Sequence, residues 1–172
     1  MKYFLTLVMI CTTLNASTFG LAQTDSEIFE EVDHLEAILD QAENRATPSA
    51  LRLLLTARKM VAENEIFIGS CWDTINTVFL RSGFPEKNTE VIFKSKIQGP
   101  FLNDQDELQP GDWVYYINHS FNDVEHSGLF VEWTDFNSRE ALIFSYAGGN
   151  RKTPARYKVY KLSSVYNIIR AK

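Results

Sequence analysis

The fold class follows from residues 110–133, PGDWVYYINHSFNDVEHSGLFVEW, and from what stands on either side of them. The first three residues, Pro110-Gly111-Asp112, form a strong turn signal. Two runs rich in β-branched and aromatic residues follow, at 113–117 and 126–133, and both predict β-strands. Turn-forming residues separate the two runs, which favours antiparallel neighbours.

Beyond this stretch the chain continues with strand signals separated by short turns. The further predicted strands are Val91–Phe93, within a long polar connection over 85–109, then Ala141–Ala147, Tyr157–Leu162 and Val165–Ile169. Short strands with intervening turns predict an antiparallel, partly closed sheet.

The chain before residue 85 predicts helices instead. Apolar residues recur at three- and four-residue steps over Ser26–Asn44 and Pro48–Asn64, and Thr47 is the predicted cap of the second helix. A third helix is predicted over Cys71–Ser82, where Gly83 and Pro85 end it. Helices followed by strands predict an α+β fold.

The third helix has a distinct start and a distinct buried side. Ser70 and Asp73 have the spacing of a capping box, in which each side chain bonds the other residue's backbone N–H. The predicted buried stripe consists of Trp72, Ile75, Val78 and Phe79. The Cys71 thiol is expected at the edge of this core-facing side.

Composition and charge limit the classes of function. The chain has 172 residues, of which 45% are hydrophobic, and a net charge of −5, which argues against a nucleic-acid backbone as partner. Residues 1–22 have a positive start, an apolar run and small residues at the end, as a secretory signal peptide does. The expected organisation is therefore signal peptide 1–22, helical segment 23–66 and a domain over 67–172, exported and free of the membrane after cleavage.

Cys71 is the first candidate functional residue. Cys11 lies in the predicted signal, so Cys71 would be the only cysteine of the exported chain. Such a cysteine is an inert buried thiol, an intermolecular link or a reactive nucleophile. The start of a helix stabilises a thiolate, which favours the third interpretation.

His126 is the preferred base for such a thiol. Of the other two histidines, His34 is expected on a solvated helix face and His119 in a surface loop. Strict alternation would put His126, Gly128, Phe130 and Glu132 on one face of their strand, and Ser127, Leu129, Val131 and Trp133 on the other. Gly128 leaves room beside His126, so a helix terminus could approach that face closely.

In this order, a cysteine at a helix start, Leu108–Tyr116 (LQPGDWVYY) and His126–Val131 (HSGLFV) resemble the NlpC/P60 and CHAP superfamily of papain-like cysteine hydrolases. The resemblance implies a papain-like fold and cleavage of amide bonds, often in cell-wall peptides. It implies that Cys71 attacks the carbonyl, that His126 moves the proton, and that the Cys71 backbone N–H stabilises the oxyanion. It implies no cofactor, and the sequence predicts no metal site.

The chain departs from the family pattern around the nucleophile and at the third catalytic position. Ser70 replaces the usual Asp, and Trp72-Asp73 replaces Ser-Gly. The residue that orients the imidazole is expected to be Ser145, with Tyr146 and Asn150 as alternatives. A non-catalytic binding module and an acyltransferase or lipid hydrolase on the same scaffold stay open, as does the oligomeric state.

Aromatic residues near the predicted site allow two interpretations. Trp72, Trp113, Tyr115 and Tyr116 could form a wall for the substrate. Residues of this kind more often belong to the core and its rim.

Overall fold

The computed structural model describes residues 25–103, 107–148 and 151–172. The predicted signal peptide and Asn150 lie outside these ranges. The helices are α1 (Asp25–Arg45), α2 (Pro48–Ala62) and α3 (Cys71–Arg81), and the strands are β1 (Thr89–Lys94), β2 (Trp113–Asn118), β3 (Val124–Asp135), β4 (Glu140–Ser145), β5 (Arg156–Lys161) and β6 (Val165–Ala171). Each corresponds to a predicted element, and the α+β class is confirmed.

The six strands form one antiparallel sheet in the order β1-β6-β2-β3-β4-β5. The central strands β2 and β3 pair through the register Trp113↔Leu129 and Tyr116↔His126. The early strand β1 pairs with the last strand, β6, so the two ends of the strand-rich half meet at one edge. Among the described helices, none combines the length and apolar character needed to cross a bilayer.

The sheet buries both of its faces, in two separate apolar clusters. The helix-side face, which includes Trp113, Leu129 and Phe144, packs against α1, α2 and α3. The outer face includes Val114, Tyr116, Phe130 and Ile143 and is covered by loop and strand-end residues such as Leu102, Leu108 and Leu162. Because neighbouring residues of a strand point to opposite faces, the position of each residue in β3 decides which cluster it joins.

The Pro-Gly-Asp turn before β2 is held by packing and by a buried ion pair. A Cβ atom on Gly111 would lie 2.9 Å from Cβ of Ala50, and Gly111 has a φ of +89°, so glycine allows α2 to pack against the turn. Asp112 is fully buried, and its two carboxylate oxygens each accept a 2.7 Å hydrogen bond from Arg170 on β6. Burial raises the pKa of Asp112, while hydrogen bonding to Arg170 opposes that change. This motif therefore joins the start of β2 to the end of β6.

The predicted strict alternation of side chains between the two faces of β3 is wrong at the last positions of this strand. The pairing with β4 shifts register between Phe130 and Glu132, which is a β-bulge. Beyond it, Glu132 accepts a 2.8 Å hydrogen bond from Arg45 of α1, and Trp133 packs against Phe130 at 5.2 Å between ring centroids. Glu132 thus lies toward the helices and Trp133 toward the outer face, the reverse of the prediction.

Candidate active site

Local hydrogen bonds determine where α3 begins. The Ser70 side chain accepts from the Asp73 backbone N–H at 3.2 Å, and the Ser70 backbone N–H donates to Oδ2 of Asp73 at 2.8 Å, so the predicted capping box is confirmed. The bonds from Ser70 hold the pKa of Asp73 below its usual range. Gly69 has a φ of +153°, and a Cβ there would lie 3.0 Å from Asp73. These contacts make Cys71 the first residue of the helix.

The surroundings of Cys71 suit an anionic group. Cys71 is half-buried, while Ile75 and Val78 below it on α3 are fully buried, as the predicted stripe requires. The backbone N–H groups of Cys71 and Trp72 donate to no group within the described ranges. Free N–H groups at a helix start, together with the helix dipole, stabilise negative charge. They are therefore able to act as donors to an oxyanion.

Trp72 does not belong to the buried stripe. It is 45% exposed, while its neighbours in the predicted stripe, Ile75, Val78 and Phe79, are buried. The four aromatic residues that could have formed a substrate wall do not lie together. Trp72, Trp113 and Tyr115 contact one another on the helix side, whereas Tyr116 is fully buried in the outer face.

His126 and Cys71 line the same cavity, whose volume is about 330 Å³. His126 lies near the start of β3, and its ring is 5.5 Å from the rings of both Tyr116 and Tyr160. Within the described part of the chain, no hydrogen bond joins the Cys71 thiol to either nitrogen of His126. His126 shares the outer face of the sheet with Tyr116 and Tyr160, whereas Cys71 is on α3 at the helix-side face, so the two residues line the cavity from different sides.

The protonation state of His126 follows from its burial. Only 8% of the residue is exposed, and desolvation, followed by the charge of Lys158, lowers the pKa of His126 to about 4. The imidazole is neutral at pH 7 and carries a lone pair that is able to accept a proton. A thiolate–imidazolium pair formed in advance is disfavoured, because the same burial penalises the charged ring.

The structure does not bring Ser145 into hydrogen-bond contact with His126. Ser145 is buried at the end of β4, and its Oγ donates to the Tyr160 hydroxyl at 3.2 Å. Tyr160 in turn lies beside the His126 ring, so Ser145 reaches the imidazole only through Tyr160. Tyr146 is buried in the helix-side cluster and donates to the backbone carbonyl of Arg151.

The suggested approach of a helix terminus at Gly128 is wrong. A Cβ on Gly128 would lie 2.2 Å from Cγ2 of Ile143 and 3.0 Å from the carbonyl oxygen of Phe144. The room that glycine provides is therefore filled by β4. Helix α3 packs instead on the helix-side face, through the cluster that contains Leu129.

Sequence reasoning missed a group of cationic residues in the cavity. Arg151, Arg156 and Lys158 line it together with Cys71 and His126. Across the described residues, none of the three cations forms an ion pair with a carboxylate. Residues 156 and 158 are alternate positions of one strand and therefore share a face. This spacing was the sequence signal that could have identified the cationic group.

The two remaining histidines are placed away from this chemistry. His34 is exposed on α1, as predicted. Nδ1 of His119 is 2.6 Å from a carboxylate oxygen of Asp123, and Nε2 is 2.8 Å from the Ser164 hydroxyl. The described residues include no group of three or more His, Cys, Asp and Glu side chains able to hold a metal ion.

Comparison of this chain with known proteins identified no relative. No protein-family model, no curated protein and no solved structure matches this chain.

Proposed function

We propose that this protein is an exported cysteine amidase or peptidase of the NlpC/P60 type that cleaves amide bonds, with cell-wall peptides as its substrates. One observation carries the proposal: Cys71, at the start of α3, and His126, on β3, line the same cavity. A thiol, an imidazole and free backbone N–H groups around one space are the parts that acyl transfer through a cysteine needs.

The reaction begins when Sγ of Cys71 bonds to the carbonyl carbon of the substrate while the thiol proton passes to His126. The carbonyl oxygen becomes an oxyanion, and the backbone N–H group of Cys71 stabilises it. The C–N bond then breaks, and His126 returns its proton to the leaving amine. Thioester and free amine remain.

Water completes the cycle by the reverse use of the same groups. Its oxygen bonds to the thioester carbon as one of its protons passes to His126. The C–S bond breaks, and the proton returns to Sγ of Cys71. The products are a carboxylic acid and an amine, so the net reaction consumes one water.

The charge of the cavity favours substrates that carry carboxylates. Arg151, Arg156 and Lys158 surround the space beside His126, and Glu125, the one acidic residue in the lining, accepts a hydrogen bond from Tyr166 at 2.9 Å. Cationic side chains without carboxylate partners attract anionic groups. A peptide with free carboxyl groups suits this cavity better than a neutral or cationic one.

A second candidate function is a non-catalytic binding module on the same scaffold. The observation in its favour is the surroundings of His126, to which no described side chain donates or accepts a hydrogen bond. An imidazole without a partner on its second nitrogen has no fixed tautomer, which weakens it as a base. The cationic cavity would then bind a ligand without cleaving it.

The decisive experiment incubates purified cell-wall fragments with the wild-type protein, Cys71→Ala and His126→Gln, and separates the products by mass spectrometry. The proposal expects new amine and carboxylate ends with the wild type alone. His34→Gln is the matched control, because this histidine is exposed on α1. Equal product from wild type and Cys71→Ala contradicts the proposal.

Alkylation separates the two candidate functions without knowledge of the substrate. Iodoacetamide modification of Cys71, located by peptide mass spectrometry, is expected to slow by about tenfold or more in His126→Gln at pH 7 if the imidazole accepts the thiol proton. Equal rates for the two proteins favour the binding module.

A further inference from the structure

A second concave site lies beside the N-terminal end of α3, on the helix side of the sheet. This aromatic groove has a volume of about 280 Å³, and its walls include Trp72, Asn76, Glu86, Thr89, Trp113 and Tyr115. It shares no lining residue with the cavity of Cys71 and His126. The groove is therefore a separate surface, although Trp72 directly follows Cys71 in the chain.

The exposed indole of Trp72 is held in a fixed orientation. Its Nε1–H donates to the Tyr115 hydroxyl at 2.9 Å, and its ring lies 5.4 Å from that of Trp113. Trp113 stacks in turn on Tyr115, at 5.3 Å and an interplanar angle of 19°. A large aromatic side chain that is both exposed and restrained provides a flat binding surface at little cost in conformational entropy.

The polar groups of the groove exclude several kinds of ligand. Asn76 and Thr89 are neutral, and Glu86 is the one charged side chain in the lining. Without a cation in the walls, a phosphate or carboxylate ligand has no counter-charge. An ammonium ligand would suit Glu86 but offers no acceptor for the Asn76 amide. A ligand with several hydroxyl groups offers both donors and acceptors.

We propose that the aromatic groove binds a neutral sugar ring. The apolar face of the ring stacks on Trp72, one hydroxyl group donates to the Glu86 carboxylate, and another bonds to the Asn76 amide. Aromatic walls with a few placed polar groups are typical of small-molecule sites. This proposal does not depend on hydrolysis at Cys71, since the groove and the cavity are lined by different residues.

The test uses the tryptophan side chains of the full chain as reporters. The three indole N–H groups, at Trp72, Trp113 and Trp133, give separate signals in a ¹⁵N–¹H correlation spectrum. Trp133 is an internal control, because it packs against Phe130 and Phe136 away from the groove. Titration with chitotetraose or cellotetraose is expected to shift the Trp72 and Trp113 signals and to leave Trp133 unchanged.

Two variants with equally exposed aromatic rings provide the matched comparison. Trp72→Ala is expected to weaken sugar binding by about tenfold or more, because the stacking surface is lost. Phe136→Ala removes a ring that is 46% exposed, against 45% for Trp72, and is expected to bind as the wild type does. Cys71→Ala is expected to retain binding, so a failure of the proposed hydrolysis leaves this result intact.

Three outcomes overturn the proposal. Absence of any shift with both sugars removes the site, and equal shifts for all three tryptophans show binding that is not confined to the groove. Shifts of Trp72 and Trp113 with tetramethylammonium chloride, but with neither sugar, assign the groove to cations instead.

Discussion

Cys71 and His126 line one cavity, yet the protein places them in opposite ways. Cys71 is positioned by contacts within four residues of chain, through Gly69, Ser70 and Asp73. His126 is positioned by rings from two other strands, Tyr116 on β2 and Tyr160 on β5. The first environment is a hydrogen-bonded helix cap, and the second is a desolvated site between two tyrosine rings with Lys158 nearby.

This difference shows that His126, and not Cys71, limits the chemistry of the site. A capped helix start holds the thiol and the Cys71 backbone N–H in place whatever the sheet does. The imidazole is kept neutral by burial, and no described side chain forms a hydrogen bond with its ring nitrogens. We therefore expect changes around His126 to alter both stability and chemistry, and changes around Cys71 to act locally.

The largest expected effect comes from breaking the sheet beside His126. Gly128→Ala would place a methyl group 2.2 Å from Cγ2 of Ile143, so β3 and β4 would have to move apart. We expect a loss of about 3 kcal/mol in the free energy of unfolding, measured by urea denaturation. Gly83→Ala is the comparison: it meets only the end of Arg52, at 3.8 Å, but the φ of +86° at Gly83 strains the backbone by about 1 kcal/mol, so it should lose less stability. Equal losses in both variants would contradict close packing at Gly128.

The next effect concerns the burial of the imidazole. The pKa of His126 is about 4 in the folded state against 6.5 when unfolded, so the unfolded chain binds a proton first as the pH falls. The free energy of unfolding should therefore fall between pH 6.5 and 4, by roughly 3 kcal/mol more than in His126→Gln. Urea denaturation at several pH values measures this difference.

The exposed histidine His34 provides the reference for that series, since His34→Gln should keep the full pH dependence of the wild type. Parallel curves for wild type and His126→Gln would mean that His126 is not desolvated.

A smaller effect is expected at the helix start. Ser70→Ala removes the acceptor for the Asp73 N–H and should cost about 1 kcal/mol. It should also change the alkylation rate of Cys71, because the thiol sits on the turn that loses its cap. Thr47→Ala removes the cap of α2, where Oγ1 accepts from the Ala50 N–H at 3.2 Å. That control should lose similar stability while the alkylation rate stays the same.

The smallest effect is expected at Ser145. Its hydroxyl bonds to Tyr160 and not to the imidazole, so Ser145→Ala should change hydrolysis by less than about threefold, well below the contribution of a general base. Tyr160→Phe, which removes the other half of the same bond, should behave alike. A loss of about a hundredfold in Ser145→Ala alone would give Ser145 the orienting role after all.

Elements with strong local signals were predicted well. The capping box at Ser70 and Asp73 and the cap at Thr47 appear as expected, because both depend on residues three positions apart. Predictions that required knowledge of neighbouring strands did less well. The reversed sides of Glu132 and Trp133 come from a bulge in the pairing with β4, which leaves no mark in the alternation of β3 itself.

The candidate site divides along the same line. Periodicity grouped Trp72 with the buried stripe of α3, yet its indole bonds to Tyr115 on β2 and stays exposed. The pattern around Gly128 indicated an empty place but could not tell that Ile143 fills it. In both cases the neighbour belongs to a distant part of the chain.

From the amino-acid order alone come the three helices, the six strands and a thiol at the tip of α3, since each depends on propensity, periodicity and contacts a few residues long. The folded chain adds the shared cavity, the cationic residues around it, the neutral state of His126 and the aromatic groove. Those properties arise from strand order, register and burial, which join residues far apart in the chain and are governed by packing and desolvation.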